Sequence, residues 1–158
     1  MVVKESFVER TGLAFEIAMD VGSVPGDRAL LASHGWRIVD PLAVSADPWR
    51  YRDYLRGSRG EFTVAKDMNV RLRSGWFSDR AACYLAAGRP VVEQDTGFGD
   101  VLPRGPGLHA FRTVDEAATA LAAIEANYGR ASAHAAEVAR EYFAADRVLA
   151  VLLRVAGL

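Results

Sequence analysis

The sequence predicts an α/β fold: a doubly wound, mainly parallel sheet flanked by helices, with a helical C-terminus. Three observations carry this. Short apolar or β-branched runs alternate with stretches of helical periodicity. The first two runs, 15–21 and 36–39, are separated by a helix over 25–34, which suits a parallel crossover. Residues from about 130 to 155 keep helical spacing, with a break near Phe143–Asp146.

The N-terminal residues 3–11 read as a loose helix. The strand 15–21 ends at Asp20-Val-Gly22. Pro25 and Asp27 open the next helix and Gly35 closes it, the usual asymmetry of helix start and stop signals. Trp36 to Val39 is a strand closed by Asp40-Pro41. Asp47-Pro48 caps a helix whose Tyr51, Tyr54 and Leu55 share one face, and Gly57 to Gly60 ends it. Glu61 to Lys66 alternates like a strand and leads into a loop, Asp67 to Gly75. A helix over 79–87 follows, with Ser78 as its cap. Strands at 90–94 and 108–111 flank the Gly/Pro-rich 96–107. Thr113 and Glu116 have capping-box spacing for a helix carrying Ala117, Leu121 and Ile124.

The chain of 158 residues suits a single domain, 1–158. Its net charge of −1 argues against a global grip on nucleic acid. One cysteine, Cys83, allows no internal disulfide and fits a reducing, cytoplasmic setting; mid-helix among Ala and Tyr it reads as a small core residue. The three histidines, His34, His109 and His134, are scattered, so no metal is expected. No apolar run reaches the ~20 residues of a membrane span, and the N-terminus lacks a signal-peptide pattern.

Local chemistry is more informative. Residues 50–80 carry eight basic side chains against four acidic ones. Such a patch on a near-neutral chain suits a small anion better than a polymer. Within it, Lys66, Arg73 and Arg80 flank a strand end and a helix start. Ser74, Gly75 and Ser78 form the loop-to-helix junction. Backbone N–H groups and the helix dipole make such a junction a phosphate cradle, and Gly75 lets a ligand approach the backbone. Asp95-Thr96-Gly97-Phe98 leaves a strand end with a carboxylate and a hydroxyl suited to sugar hydroxyls, or equally to a plain turn. Gly97-Phe-Gly99 is not a dinucleotide fingerprint, because Leu102 stands in the third glycine's place. Asp20 and Asp40 end strands without the remaining residues of a phosphoacceptor.

The run Phe77-Ser-Asp-Arg-Ala-Ala-Cys-Tyr-Leu-Ala-Ala-Gly-Arg-Pro-Val-Val92, followed by Gln94-Asp-Thr-Gly-Phe98, resembles the donor-binding half of GT-B glycosyltransferases. The resemblance includes Leu108–Ala117 and extends from about Phe15 to Leu153. It implies a single Rossmann-like domain that binds a nucleotide-sugar donor, or a nucleoside diphosphate, as substrate and without a metal. Lys66, Arg73, Ser74, Gly75, Ser78 and Arg80 would meet the diphosphate. Asp95, Thr96, Gly97 and Phe98 would line the sugar. Many retaining members carry two glutamates with seven residues between them; those places hold Gly75 and Cys83 here, leaving Asp79 and Arg80 as substitutes for ribose or phosphate contacts. The family holds its acceptor in a separate N-terminal domain, which the residues before Phe15 are too few to form. The chain is then expected to be half an enzyme, binding donor but transferring sugar poorly by itself. No catalytic residue is assigned. The alternative is a non-catalytic nucleotide-binding or protein-interaction domain on the same scaffold.

Overall fold

The computed structural model describes residues 6–21 and 26–157. The chain is α/β, and every strand pairing is parallel. It divides into two compact units, Met1–Tyr54 and Leu55–Leu158.

In the first unit, α1 (Phe7–Thr11) starts with a complete capping box between Ser6 and Glu9 and stops at Gly12, whose φ is 64°. β1 (Glu16–Ala18) and β2 (Arg37–Val39) form a two-stranded ladder with Ile17 opposite Ile38. α2 (Asp27–Ser33) is the crossover between them. Pro25 and Gly22, expected to start the helix and end the strand, lie outside the described residues. Phe15 packs between Phe7 and Trp36 in tilted contacts at centroid distances of 5.3 and 5.0 Å. Gly35 is required here, because a Cβ would sit 3.1 Å from a Val8 methyl. Asp40-Pro41 does more than end a strand: Asp40 accepts the Leu42 N–H and starts α3 (Pro41–Ser45). The division between the units falls within α4 (Pro48–Gly57). Asp47 caps it through the Trp49 and Arg50 amides.

The second unit is built on a three-stranded sheet, β3 (Glu61–Thr63), β4 (Val91–Gln94) and β5 (Leu108–Phe111), in that order. Between β3 and β4 come α5 (Asp67–Arg71) and α6 (Asp79–Ala86); α7 (Val114–Ala126), α8 (Tyr128–Tyr142) and α9 (Ala145–Val155) follow β5. The strand expected over 61–66 stops at Thr63, because the Ala65 N–H turns to the Gln94 side chain at 3.1 Å instead of a neighbouring backbone. The loop expected over 67–75 contains the single helical turn of α5. At α7 the box is half made: Thr113 accepts the Glu116 N–H, but the Glu116 carboxylate takes the Arg112 amide instead.

Parallel register places Glu61, Thr63, Val91, Glu93 and Leu108 on one face and Phe62, Val92, Gln94, His109 and Phe111 on the other. Leu85, Val91, Val92 and Leu108 are fully buried and form the core with Phe98, Ala131 and Ala135. Close packing of α8 depends on Gly107, since a Cβ there would collide with the Ala131 carbonyl and the Ala135 amide. The break expected near Phe143 separates α8 from α9. Val138 of α8 is buried, whereas Val148, Leu149, Leu152 and Leu153 of α9, expected to face a core, are exposed. Among the described residues no helix is long and apolar enough to cross a membrane.

Candidate functional site

In a parallel α/β sheet the loops leaving the strand C-termini are where ligands sit. Here those loops follow β3 and β4, and they are bonded to each other. The Gly75 N–H donates to the Thr96 carbonyl at 2.9 Å, and the Thr96 hydroxyl donates back to the Trp76 carbonyl. Gly97, with φ of 92°, lies so close that a Cβ would be 3.3 Å from the Arg73 carbonyl. Gly75 is left-handed at φ 74°, and so is Arg73 at 46°, the one non-glycine with positive φ among the described residues. An arginine in that region is strained by roughly 1–2 kcal/mol, a cost often found where a side chain is held for function.

Asp95 is the centre of this arrangement. Its carboxylate is 6% exposed, accepts the Gly97 N–H at 2.9 Å, and receives Arg112 through Nε and Nη2 at 2.8 and 2.7 Å. Arg73 approaches the same oxygen at 3.8 Å and Asp100 at 3.6 Å. Burial by itself would raise the Asp95 pKa; the Gly97 N–H, Arg112 and Arg73 outweigh it and hold the carboxyl below its usual range.

The residues expected to meet a diphosphate divide in two. Lys66, Arg73, Ser74, Gly75 and Arg80 are exposed, as is Asp79, whereas Ser78 is buried. Ser74 is fixed by its hydroxyl to Asn69 Oδ1 at 3.0 Å. Ser78 sits at the N-cap of α6 but makes no side-chain cap bond. Instead its backbone N–H donates to Glu93 Oε1 at 3.2 Å, and Asp79 Oδ1 accepts the Arg80 amide. The Arg80 guanidinium is engaged with Glu61 Oε1 at 2.6 Å and reaches the Thr63 hydroxyl. The residues expected to line a sugar, Asp95, Thr96, Gly97 and Phe98, are all buried. Phe98 packs on Phe77, which also stacks on Phe143.

Three residues outside the sequence-based set belong to this region: Arg112, Glu61 and Glu93. Register brings Arg112 in, since Gln94 pairs with Phe111 and the Asp95 N–H donates to the Phe111 carbonyl at 2.8 Å; the only sequence signal is that both residues directly follow a strand. Glu93 stands out as an acid following two valines in a short apolar strand. It is fully buried, and its Oε2 has no hydrogen-bond partner among the described residues. Burial raises its pKa, the Ser78 N–H opposes this, Glu61 adds to it and Arg80 opposes it; the balance is pushed up to about 8.

Cys83, expected in the core, is exposed on α6. Partial burial and the charges of Asp79 and Glu61 push its thiol upward, away from nucleophilic use. His109 and His134 both border the Gly105–Gly107 turn, to the Pro106 carbonyl and the Gly107 amide respectively. Among the described residues no group of three His, Cys, Asp or Glu side chains is placed to hold a metal. A groove of about 380 Å³ between β5 and α7, lined by His109, Asp115 and Glu116, includes none of the loop residues.

Comparison of the chain with protein-family models, with curated proteins and with solved structures finds no match.

Proposed function

We propose that the chain is the nucleotide-sugar-binding domain of a GT-B type glycosyltransferase, Rossmann-like and doubly wound, that works with an acceptor-binding domain. The observation that carries this reading is the junction at Asp95. Two loops from adjacent parallel strands are bonded together there, with the guanidiniums of Arg73 and Arg112 on one buried carboxylate. Arg73 also pairs with the exposed Asp100 at 3.6 Å, a partner that solvent weakens and that a diphosphate would displace. Gly75 and Ser74 lie beside Arg73 in the chain. Lys66 is exposed at the start of α5 and adds charge.

In this reading catalysis is charge stabilisation. Arg73, Arg112 and the junction hold the departing nucleoside diphosphate, while groups of the acceptor domain handle the acceptor's proton. Arg80 acts through Glu61 and Thr63, and Asp79 remains for the ribose. Asp95 serves as anchor for the two arginines, and the buried Thr96 and Phe98 shape the loop. The donor is a substrate, and no metal takes part.

Calorimetric titration with uridine, adenosine, guanosine and cytidine diphosphates tests it. We expect one to bind, and Arg73→Ala and Arg112→Ala each to weaken it about ten-fold or more. Failure of all four to bind would end the donor-domain reading. One observation favours the second reading, a protein-interaction domain: the apolar side chains of α9 are exposed. In that case the arginine variants leave partner association untouched.

A further inference from the structure

Glu93 lies beneath the junction and is used by nothing in the donor-binding reading. Its side chain is fully covered, on the middle strand of the sheet. One oxygen holds the Ser78 N–H at the start of α6, and the other has no partner among the described residues. A carboxyl in such a place is held neutral unless a cation is dedicated to it.

The groups that face it can be enumerated. From β3 come Glu61, itself buried, and Thr63, its partner in register. From α6 comes Arg80, whose Nε is 2.6 Å from Glu61 Oε1; the Cys83 thiol of the same helix feels the charges of Asp79 and Glu61. From β5 comes Ala110, uncharged. The buried residues of α7, which packs on β4, are Ala117, Ala120 and Ile124, and those of α8, which packs on α6 and β5, are Ala131, Ala135, Val138 and Ala139. One guanidinium therefore serves two buried carboxyls, and it is bonded to Glu61. A second negative charge at Glu93 would lie beside the first without a cation of its own.

We propose that Glu93 is a proton-held latch: protonated, it stays covered and keeps Ser78 and the start of α6 docked on β4, and on losing its proton to solvent the carboxylate draws water, a demand that outweighs its stronger Ser78 bond and opens that junction. The balance of burial and neighbouring charge, at about 8 against an ordinary 4.5, agrees in direction. Because the folded value lies above the unfolded one, the docked state is favoured at low pH and loses stability as pH rises through about 8. Consequences for a ligand rest on the donor-binding reading; the latch itself does not.

Hydrogen exchange of the peptide spanning 72–82, corrected for intrinsic rates, is measured from pH 6.5 to 9 on the wild-type chain and on Glu93→Gln. Gln keeps the acceptor for Ser78 and does not titrate. Wild-type protection is expected to fall roughly fifteen-fold between pH 6.5 and 8 and only about two-fold from pH 8 to 9, the response of a single proton linked between about 4.5 and about 8, and the variant to stay flat. A flat wild-type profile, or parallel profiles, overturns the latch. Should the variant not fold, the ¹³C carboxyl shift of Glu93 in the wild-type chain decides: a midpoint near 8 supports the latch and one near 4.5 overturns it. In parallel, uridine diphosphate is titrated at pH 7 and pH 9. Weaker binding at pH 9 in the wild type alone supports coupling to the site, and equal binding at both overturns that coupling. No binding at either pH counts against the donor reading and leaves the latch to be decided by exchange.

Discussion

The interaction between Asp95 and Arg112 is the most direct measure of how the two loops are held. The perturbations are Asp95→Asn, Arg112→Ala and the double variant. Asn keeps the oxygen that accepts the Gly97 N–H but replaces Oδ2, the acceptor of both Arg112 bonds, with an NH2, so the charge and those two bonds are removed together. The carboxylate is 6% exposed and the guanidinium 65%. A fully exposed pair would couple by about 0.2–1 kcal/mol, and breaking a fully buried one costs about 3–5 kcal/mol. With one buried and one hydrated partner, and two charge-assisted bonds, we expect a coupling of about 1–2 kcal/mol. Asp95→Asn alone should cost about 1.5–3 kcal/mol, since hydrogen bonds to charged groups fall in that range. Urea unfolding of the four chains at pH 7 gives both numbers. The carboxyl is held below its ordinary 3.8, so its contribution is present above that pH and lost as pH falls through the folded value. Wild type and Asp95→Asn should therefore converge in stability in strong acid. A coupling under about 0.5 kcal/mol at pH 7, the scatter of independent sites, would refute the reasoning. Nucleoside diphosphate affinity adds a second reading: it should fall in Asp95→Asn although the chain becomes more positive. A rise would mean that Asp95 merely competes with the ligand.

Two further substitutions separate positioning from binding. Arg73→Gly removes the guanidinium and relieves the left-handed strain at φ 46°; stability should stay within about 1 kcal/mol of wild type or exceed it, because the relief offsets the entropy of glycine, while calorimetry shows diphosphate binding weakened at least ten-fold. Arg80→Ala leaves Glu61, whose side chain is 4% exposed, without its 2.6 Å ion pair. Its urea midpoint should drop by the equivalent of about 1–3 kcal/mol, whereas a purely ligand-binding arginine would leave it unchanged.

Much of the scaffold was legible because it depends on short-range chemistry. Asp47-Pro48, Thr113 and the glycine after α2 act within one turn of chain, and β5 could be read to its boundaries from the run between Gly107 and Arg112. The alternation of strand and helix pointed to the parallel pairings that were found. Ser78 was misread as a side-chain cap for a related reason: local pattern names the N-cap residue, but Glu93, fifteen positions away, takes its amide.

What the sequence by itself determined is therefore the α/β class, the parallel strands and the caps at Asp47 and Thr113, the caps being settled by groups a few residues apart. What only the tertiary structure decided is which polar groups meet. Register brought Asp95 to Arg112, close approach at Gly97 brought Arg73 to the same carboxylate, and the sheet-helix interface enclosed Glu61 and Glu93 with one arginine, bonded to Glu61. Charge and burial act through space, and no spacing along the chain reports them.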